Sequence, residues 1–270
     1  MNENSRSSKP KDAWASGEKY EPYVGRWSRL VAREFLHWLA VPARSHWLDV
    51  GCGTGALSQT ILQFADPAQV KGIDHSVGFI TFAMEHTQDS RVQFEVGDAQ
   101  SLHAESGSFD AAITGLVLNF VPQPDRVVAE MKRVTRTGGL VAAYLWDYAG
   151  RMQMIRHFFD AAVALNPSAA ELDEGSRFPI CQPDALGRLF ETTGLQHVEV
   201  RPIEVLTVFR DFDDYWSPFL GGQGPAPTYA MSLSEERRVE LRERIRGGLP
   251  IAPDGSIPLV ARAWAVRGVS

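Results

Sequence analysis

The sequence predicts an α/β fold with a doubly wound, mostly parallel sheet. Three observations carry that expectation. Short β-like runs alternate with stretches of helical period from His46 to Leu145. Each parallel pair of strands needs a crossover connection, and helices of this length supply it. The 270 residues, 44% hydrophobic and 22% charged, have the balance of a folded chain with one large core.

Taken in order, Glu18 to Ala40 places Trp27, Leu30, Val31, Phe35, Trp38 and Leu39 at three- and four-residue steps, which predicts one or two amphipathic helices ended by Pro42. His46 to Val50 is a strand that stops at a glycine-rich turn, and Ala56 to Phe64 is the helix after it. Strands follow over Gln69–Asp74, Val92–Val96 and Phe109–Leu118, with a helix over Val77–His86. Asp125–Val134 is a helix, Gly138–Gly139 its turn, and Leu140–Leu145 the fifth strand. Beyond Trp146 come a helix over Arg151–Leu165, a short one over Asp184–Thr193, and strands over Val198–Val208 and Val260–Val266, with helical patches between these strands.

Composition removes several classes of function. A net charge of -6 leaves no surplus of cations for a phosphate backbone, so no nucleic acid is expected as a partner. The arginines between Arg237 and Arg246 alternate with Glu240 and Glu243, the pattern of a solvated helix face. Cys52 and Cys181 form neither a disulfide framework nor a metal knuckle, and no His pair has ligand spacing, so no metal is expected. The polar stretch Met1–Lys11 carries no signal-peptide pattern, and no apolar run is long enough for a membrane span, so a cytoplasmic protein is expected.

The chemistry is concentrated in Asp49-Val50-Gly51-Cys52-Gly53-Thr54-Gly55. Glycines that follow a strand and open a helix let a ligand approach the backbone, and the amides at the helix start suit an anion. Gly51 to Ala56 also satisfies the dinucleotide pattern, with Asp74 at the distance from which an acid meets a ribose hydroxyl. The glycines alone therefore leave two cofactors open, a nicotinamide dinucleotide and another nucleoside.

A wider set of motifs separates them. Leu48 to Gly55 resembles the first motif of the class I S-adenosylmethionine-dependent methyltransferases. Gly72-Ile73-Asp74-His75-Ser76 resembles the second, Gly97-Asp98-Ala99 the third, Gly115 to Phe120 the fourth, and Arg133 to Gly139 the turn before the fifth strand. Arg136-Thr137 stands where that turn commonly has Lys-Pro. The resemblance covers Glu18 to Leu145 and is closest to the small-molecule branch of the ubiquinone and menaquinone type. Asn119-Phe120-Val121-Pro122 replaces the Asn/Asp-Pro-Pro-Tyr element of the nucleic-acid-modifying branches.

The resemblance implies a Rossmann-like sheet of seven strands, mostly parallel with an antiparallel last strand, covered by helices on both faces and by a helical lid. The polar start of the chain is expected to be a disordered tail over 1–17, and the resemblance implies one domain over 18–270. In that domain 18–42 form an N-terminal helical lid, 43–146 the cofactor-binding core, 147–230 the lid and acceptor insertions around strand six, and 231–270 a helix and the final strand. The implied activity is transfer of a methyl group from S-adenosylmethionine to a small molecule, leaving S-adenosylhomocysteine. The alternatives are an NAD(P)-dependent oxidoreductase on the same loop and a cofactor-binding protein without catalysis. A monomer and a homodimer are equally compatible with the sequence.

Expected cofactor contacts follow by position. Asp49, an acid at a buried strand end, would meet the cofactor's ammonium, and Asp74 both ribose hydroxyls. Gly51, Cys52, Gly53 and Gly55 form the loop, His75 and Ser76 border the ribose and adenine, and Asp98, Ala99, Gly115 and Leu116 complete the nucleoside side. Cys52 has no cation nearby in sequence and is read as inert packing. Tyr23 and Arg26 lie in a segment, Tyr20 to Ser28, expected to fold over the cofactor, with Arg26 on the methionine carboxylate or simply on the surface. Trp146, Trp216, Phe219 and Gly222 are expected in the substrate pocket, whose lid would be 147–183 and 211–227. No catalytic base is assigned: His75, His103, His157 and Asp147 all fit the topology, and none is singled out by spacing.

Overall fold

The computed structural model describes residues 25–221 and 224–270. The first helix, α1 (Arg26–Leu39), buries Trp27, Val31, Phe35 and Leu39, four residues apart or nearly so, and ends where Ala40 turns left-handed and its N–H returns to Leu36 O at 3.2 Å. Strand β1 (His46–Val50) is buried from Trp47 onward on both faces, as a central parallel strand must be. It leads into α2 (Ala56–Phe64), β2 (Gln69–Asp74), α3 (Val77–His86), β3 (Val92–Val96), β4 (Phe109–Gly115), α4 (Pro124–Val134) and β5 (Thr135–Trp146).

The remainder comprises α5 (Gln153–Leu165), α6 (Glu174–Arg177), α7 (Pro183–Thr192), β6 (Gln196–Phe209), α8 (Phe212–Trp216), α9 (Pro225–Ser232), α10 (Glu235–Gly248) and β7 (Ile257–Val269), with short 3-10 turns at 167–171, 179–181 and 217–221. Among the described residues one seven-stranded sheet forms, in the order β3-β2-β1-β4-β5-β7-β6. Strands β1 to β5 pair in parallel, and β7 runs antiparallel to both β5 and β6. This is the expected doubly wound sheet with its reversed last strand.

Strand β1 lies where the winding changes direction, between β2 and β4. The loops leaving the carboxyl ends of β1 and β4 therefore diverge and open a crevice, the place where such sheets bind ligands.

Expected boundaries move at strands four and five. Strand four ends at Gly115 rather than Leu118, because Leu116 takes φ +63° and turns the chain out of the sheet. Strand five begins at Thr135, with Gly138 and Gly139 in an irregularity that shifts its register against Phe109 and Ala111. The first helix is described from Arg26, and the expected segment 18–24 lies outside the described residues, as does the tail over 1–17.

Helix α10 is the expected solvated arginine-glutamate helix. Only Leu241 and Ile245 are buried on it, and Arg237–Glu240 and Arg242–Glu243 pair at its surface. No helix among the described residues is long and apolar enough to cross a membrane, and no cluster of three His, Cys, Asp or Glu there could hold a metal ion.

Candidate functional site

A cavity of about 470 Å³ opens at the carboxyl ends of β1, β2, β4 and β5. On the β1 to β3 side its walls include Asp49, the loop Gly51–Thr54, Asp74, His75, Asp98 and Ala99. On the β4 and β5 side they include Leu116, Val117, Phe120, Tyr144, Trp146 and Tyr148.

The loop is shaped by close packing. Gly51 has φ +73°, and a Cβ there would lie 2.5 Å from a Val117 methyl, so only glycine fits. Its N–H and that of Cys52 both donate to Ile73 O, at 2.7 and 3.0 Å, which ties the turn to β2. Asp74, at the end of β2, accepts from Gly53 N at 3.0 Å with one oxygen and from Ser76 N at 2.8 Å with the other. Each oxygen keeps further acceptor capacity, and the residue lines the cavity. Ser76 is the N-cap of α3, where its Oγ accepts from Phe79 N at 3.3 Å.

Asp49 is the electrostatic centre. Its Oδ2 accepts from Ser58 Oγ at 2.6 Å, whereas its Oδ1 is buried without a partner. Burial pushes its carboxyl up to about 7, the Ser58 hydrogen bond opposes the rise, and the neighbouring Asp74 adds to it. A buried carboxylate oxygen that no protein donor meets suits a cationic donor. The Cys52 thiol is raised well above its usual range, first by burial and then by Asp49 and Asp74. Its expected inertness agrees with that environment.

The residues Leu48–Ala143 match a methyltransferase domain family. The chain is 30% identical over 166 residues to a demethylmenaquinone methyltransferase of Staphylococcus aureus, covering 57% of this chain and 69% of that protein. It is 30% identical over 164 residues to a ubiquinone biosynthesis O-methyltransferase of Burkholderia pseudomallei, covering 58% and 66% respectively. The chain belongs to the class I S-adenosylmethionine-dependent methyltransferases.

The fold agrees. A phosphoethanolamine N-methyltransferase of Haemonchus contortus, solved with phosphomonomethylethanolamine and S-adenosylhomocysteine, superposes with a TM-score of 0.59 at 16% identity, over 94% of this chain and 56% of that one. The chain spans about two thirds of the length of the quinone methyltransferases. It spans 27% of a transposon Tn4556 protein of Streptomyces fradiae, to which it is 39% identical over 94 residues. The oxidoreductase alternative finds no support among these relatives.

The structure brings together most of the expected cofactor contacts. Asp49, Gly51, Cys52, Gly53, Asp74, His75, Asp98, Ala99, Gly115 and Leu116 all line the cavity, as does Trp146 from the expected substrate set. Gly55 and Ser76 do not: Gly55 is the left-handed residue preceding α2, and Ser76 is spent on its cap. Tyr23 and Gly222 lie outside the described residues.

Other expectations are corrected. Arg26 points away from the cavity, pairs with Asp214 at 3.0 Å and lies over the rings of Trp27 and Phe209. Trp216 and Phe219 are core residues; Phe219 is fully buried and stacks on Phe158 at 4.7 Å. The described residues of segment 211–227 therefore contribute no wall to the cavity, and of 147–183 only Tyr148 does.

The four base candidates also separate. His103 is exposed, and His157 is half-buried on α5 with its imidazole lowered by burial; neither is a cavity wall. Asp147 is buried and held by Arg262, whose Nε and Nη2 reach its Oδ2 at 2.7 and 2.6 Å. His75 alone lines the cavity, with its Nδ1 3.4 Å from Asp74 Oδ1 and its ring largely exposed.

Tyr144, Tyr148 and Phe120 are walls that the sequence analysis did not single out. The signal was present: Tyr144, Trp146 and Tyr148 alternate along β5 and just past it, so a strand that aims Trp146 at the site aims the two tyrosines there too.

Proposed function

We propose that this methyltransferase holds S-adenosylmethionine across the β1 and β2 ends and methylates a small molecule seated at the β4 and β5 ends. The single observation that carries it is the buried, unpartnered Oδ1 of Asp49, a residue that lines the cavity. An ammonium group satisfies that oxygen, and a nicotinamide dinucleotide has none to offer. Asp74 would take the ribose hydroxyls, with Gly53 N and Ser76 N holding its carboxylate in place. Asp98, fixed by Gln100 N at 2.8 Å, and Ala99 would border the adenine, and the glycine loop would let the methionine moiety approach the backbone.

The bound cofactor supplies an activated methyl group on a sulfonium. What this chain contributes is orientation and dryness. The apolar walls from Leu116 to Tyr148 exclude water and fix the acceptor against that group, an effect worth on the order of 7 kcal/mol when the geometry is well aligned. No side chain of this half other than tyrosine titrates. We assign no catalytic base. A cavity of about 470 Å³ suits metabolites rather than polymers.

The test has two stages. S-adenosylmethionine and S-adenosylhomocysteine should raise the melting temperature and NAD should not; at a hundredfold excess over Kd the gain is about 2.7 kcal/mol. Transfer of labelled methyl to a panel of small aromatic and aliphatic acceptors then reads turnover. Stabilisation by NAD alone would overturn the proposal, and binding without any transfer would leave a cofactor-binding protein.

A further inference from the structure

The crossover from β3 to β4, residues 97–108, contains no helix, although a connection between parallel strands usually carries one. Its backbone groups therefore need partners from elsewhere. Gly97 N donates to Asp74 O at 2.9 Å. Beyond it the internal bonds are short-range: Gln100 N donates to Asp98 Oδ1 at 2.8 Å, Ser101 N to Asp98 O at 3.0 Å and Ala104 N to Leu102 O at 2.9 Å. Such bonds shape turns without fixing where the turns sit.

Helix α4, from the next crossover, does the fixing. Arg126 Nε donates to Gln100 O at 2.9 Å, and Arg133 donates from Nη2 to Leu102 O and from Nη1 to Ala104 O, both at 2.9 Å. Glu130 Oε2 accepts from Leu102 N at 2.9 Å, so both backbone groups of Leu102 end on one helix. Arg133 and Glu130 also hold each other, Nε to Oε1 at 2.7 Å and Nη2 to Oε2 at 2.8 Å. The Arg133 hydrogen bonds keep the Glu130 carboxyl below its usual range, so it stays an anion and an acceptor. One guanidinium thus serves two carbonyls and both oxygens of a carboxylate, a task for a fork and not for a single ammonium.

The grip matters because of what the loop carries. Asp98, Ala99 and Gln100 line the cavity, whereas Arg126, Glu130 and Arg133 do not. Arg133 is also the first residue of the Arg133–Gly139 motif, in which the turn into β5 accounts for the glycines and leaves the arginine without a role.

We propose that Arg133, with Glu130 and Arg126, is a positioning element for the cofactor: it sets residues 98–100 against the nucleoside without touching it. The assignment rests on the nucleoside placement proposed above. Loosening the clamp weakens the nucleoside end and spares the Asp49 end, because Asp49 is held by Ser58 on α2.

The experiment uses the full chain and measures S-adenosylhomocysteine and 5′-methylthioadenosine by calorimetry, below the melting range of every variant. The second probe keeps the nucleoside and lacks the ammonium and carboxylate. Arg133→Ala should weaken both ligands by the same factor, about tenfold or more. Arg133→Lys should remain about fivefold weaker than wild type for both, since one nitrogen cannot replace the fork. Amide hydrogen exchange over 98–104 should speed up by about tenfold in Arg133→Ala. Val127→Ala, which cuts into the buried face of the same helix, should lower the melting temperature and leave both affinities and this exchange near wild type. Arg133→Lys carries the test if the alanine variant fails to fold. Wild-type affinities in Arg133→Lys, a loss confined to S-adenosylhomocysteine, or an equal loss in Val127→Ala would overturn the clamp. No binding of 5′-methylthioadenosine by the wild-type chain, or wild-type affinities in Asp98→Ala, would instead overturn the nucleoside placement itself.

Discussion

Ser58 donates a 2.6 Å hydrogen bond to one oxygen of Asp49 and leaves the other, equally buried, without a donor. The carboxyl, pushed up to about 7, has an ordinary value of 3.8. Between those two values the folded chain holds a proton that the unfolded chain releases, so the ligand-free protein should lose stability as pH rises from about 4 to about 7, by on the order of a few kcal/mol. Cofactor affinity should run the opposite way and increase over the upper part of that window, because only the ionised carboxylate receives an ammonium. Urea melts and calorimetry at pH 5.5, 6.5 and 7.5 check both slopes, and Asp49→Asn should flatten them.

Asp74→Ala should weaken S-adenosylhomocysteine by roughly 1–3 kcal/mol, the range for charge-assisted hydrogen bonds at a partly enclosed site. The fold should survive, because Gly51 and Cys52 keep their backbone bonds to Ile73. Calorimetry with the wild-type constant would remove Asp74 from the site.

Gly51→Ala should be worse than a loop substitution usually is. The new Cβ would meet Val117 at 2.5 Å while holding a left-handed φ, a combination that costs about 2 kcal/mol or more. Denaturant melts should show the loss, and cofactor affinity should fall with it, since relief of the clash displaces a cavity wall.

Arg262→Ala leaves the buried Asp147 carboxylate with the Arg151 backbone N–H and no cation. Uncompensated buried charges of this kind destabilise by about 3 kcal/mol. Since Asp147 is not a cavity wall, cofactor affinity measured below the melting range should stay near wild type; a large change there would show that the pair acts on the site.

Cys52 lies in the cofactor loop yet should resist iodoacetamide at pH 8, because burial and two nearby carboxyls keep its thiol protonated. Mass spectrometry should find it modified only in denaturant. Rapid modification of the folded protein would contradict the burial on which the loop geometry depends.

The parallel core was legible because its signals are local. A strand that ends in an acid before a glycine turn is contiguous in sequence, so Asp49, Asp74 and the loop between Gly51 and Gly53 could be placed on the site without knowing the fold. The β4 end was less legible: nothing in the run from Gly115 to Phe120 announces that Leu116 adopts φ +63° and swings Val117 and Phe120 into the cavity. Trp216 and Phe219 misled for a physical reason. They sit in one-turn elements, 212–216 and 217–221, too short to show a helical period, so their burial against Phe158 on a distant helix could not be distinguished from exposure to a ligand. Arg26 was ambiguous in the same sense, since its partner Asp214 is 188 positions away.

The position of β7 governs how the chain can be assembled. It is the last strand in order, yet it is pinned between β5 and β6. During synthesis β6 leaves the ribosome with no neighbour to pair with, and the edge of β5 stays open until 257–269 follow. Until then the chain can pair only five strands, with the β5 edge open in addition to the β3 edge that the finished sheet keeps, an arrangement that invites aggregation. Closure by β7, whose pairing partners in β5 lie more than a hundred residues upstream, is then the long-range step expected to limit refolding.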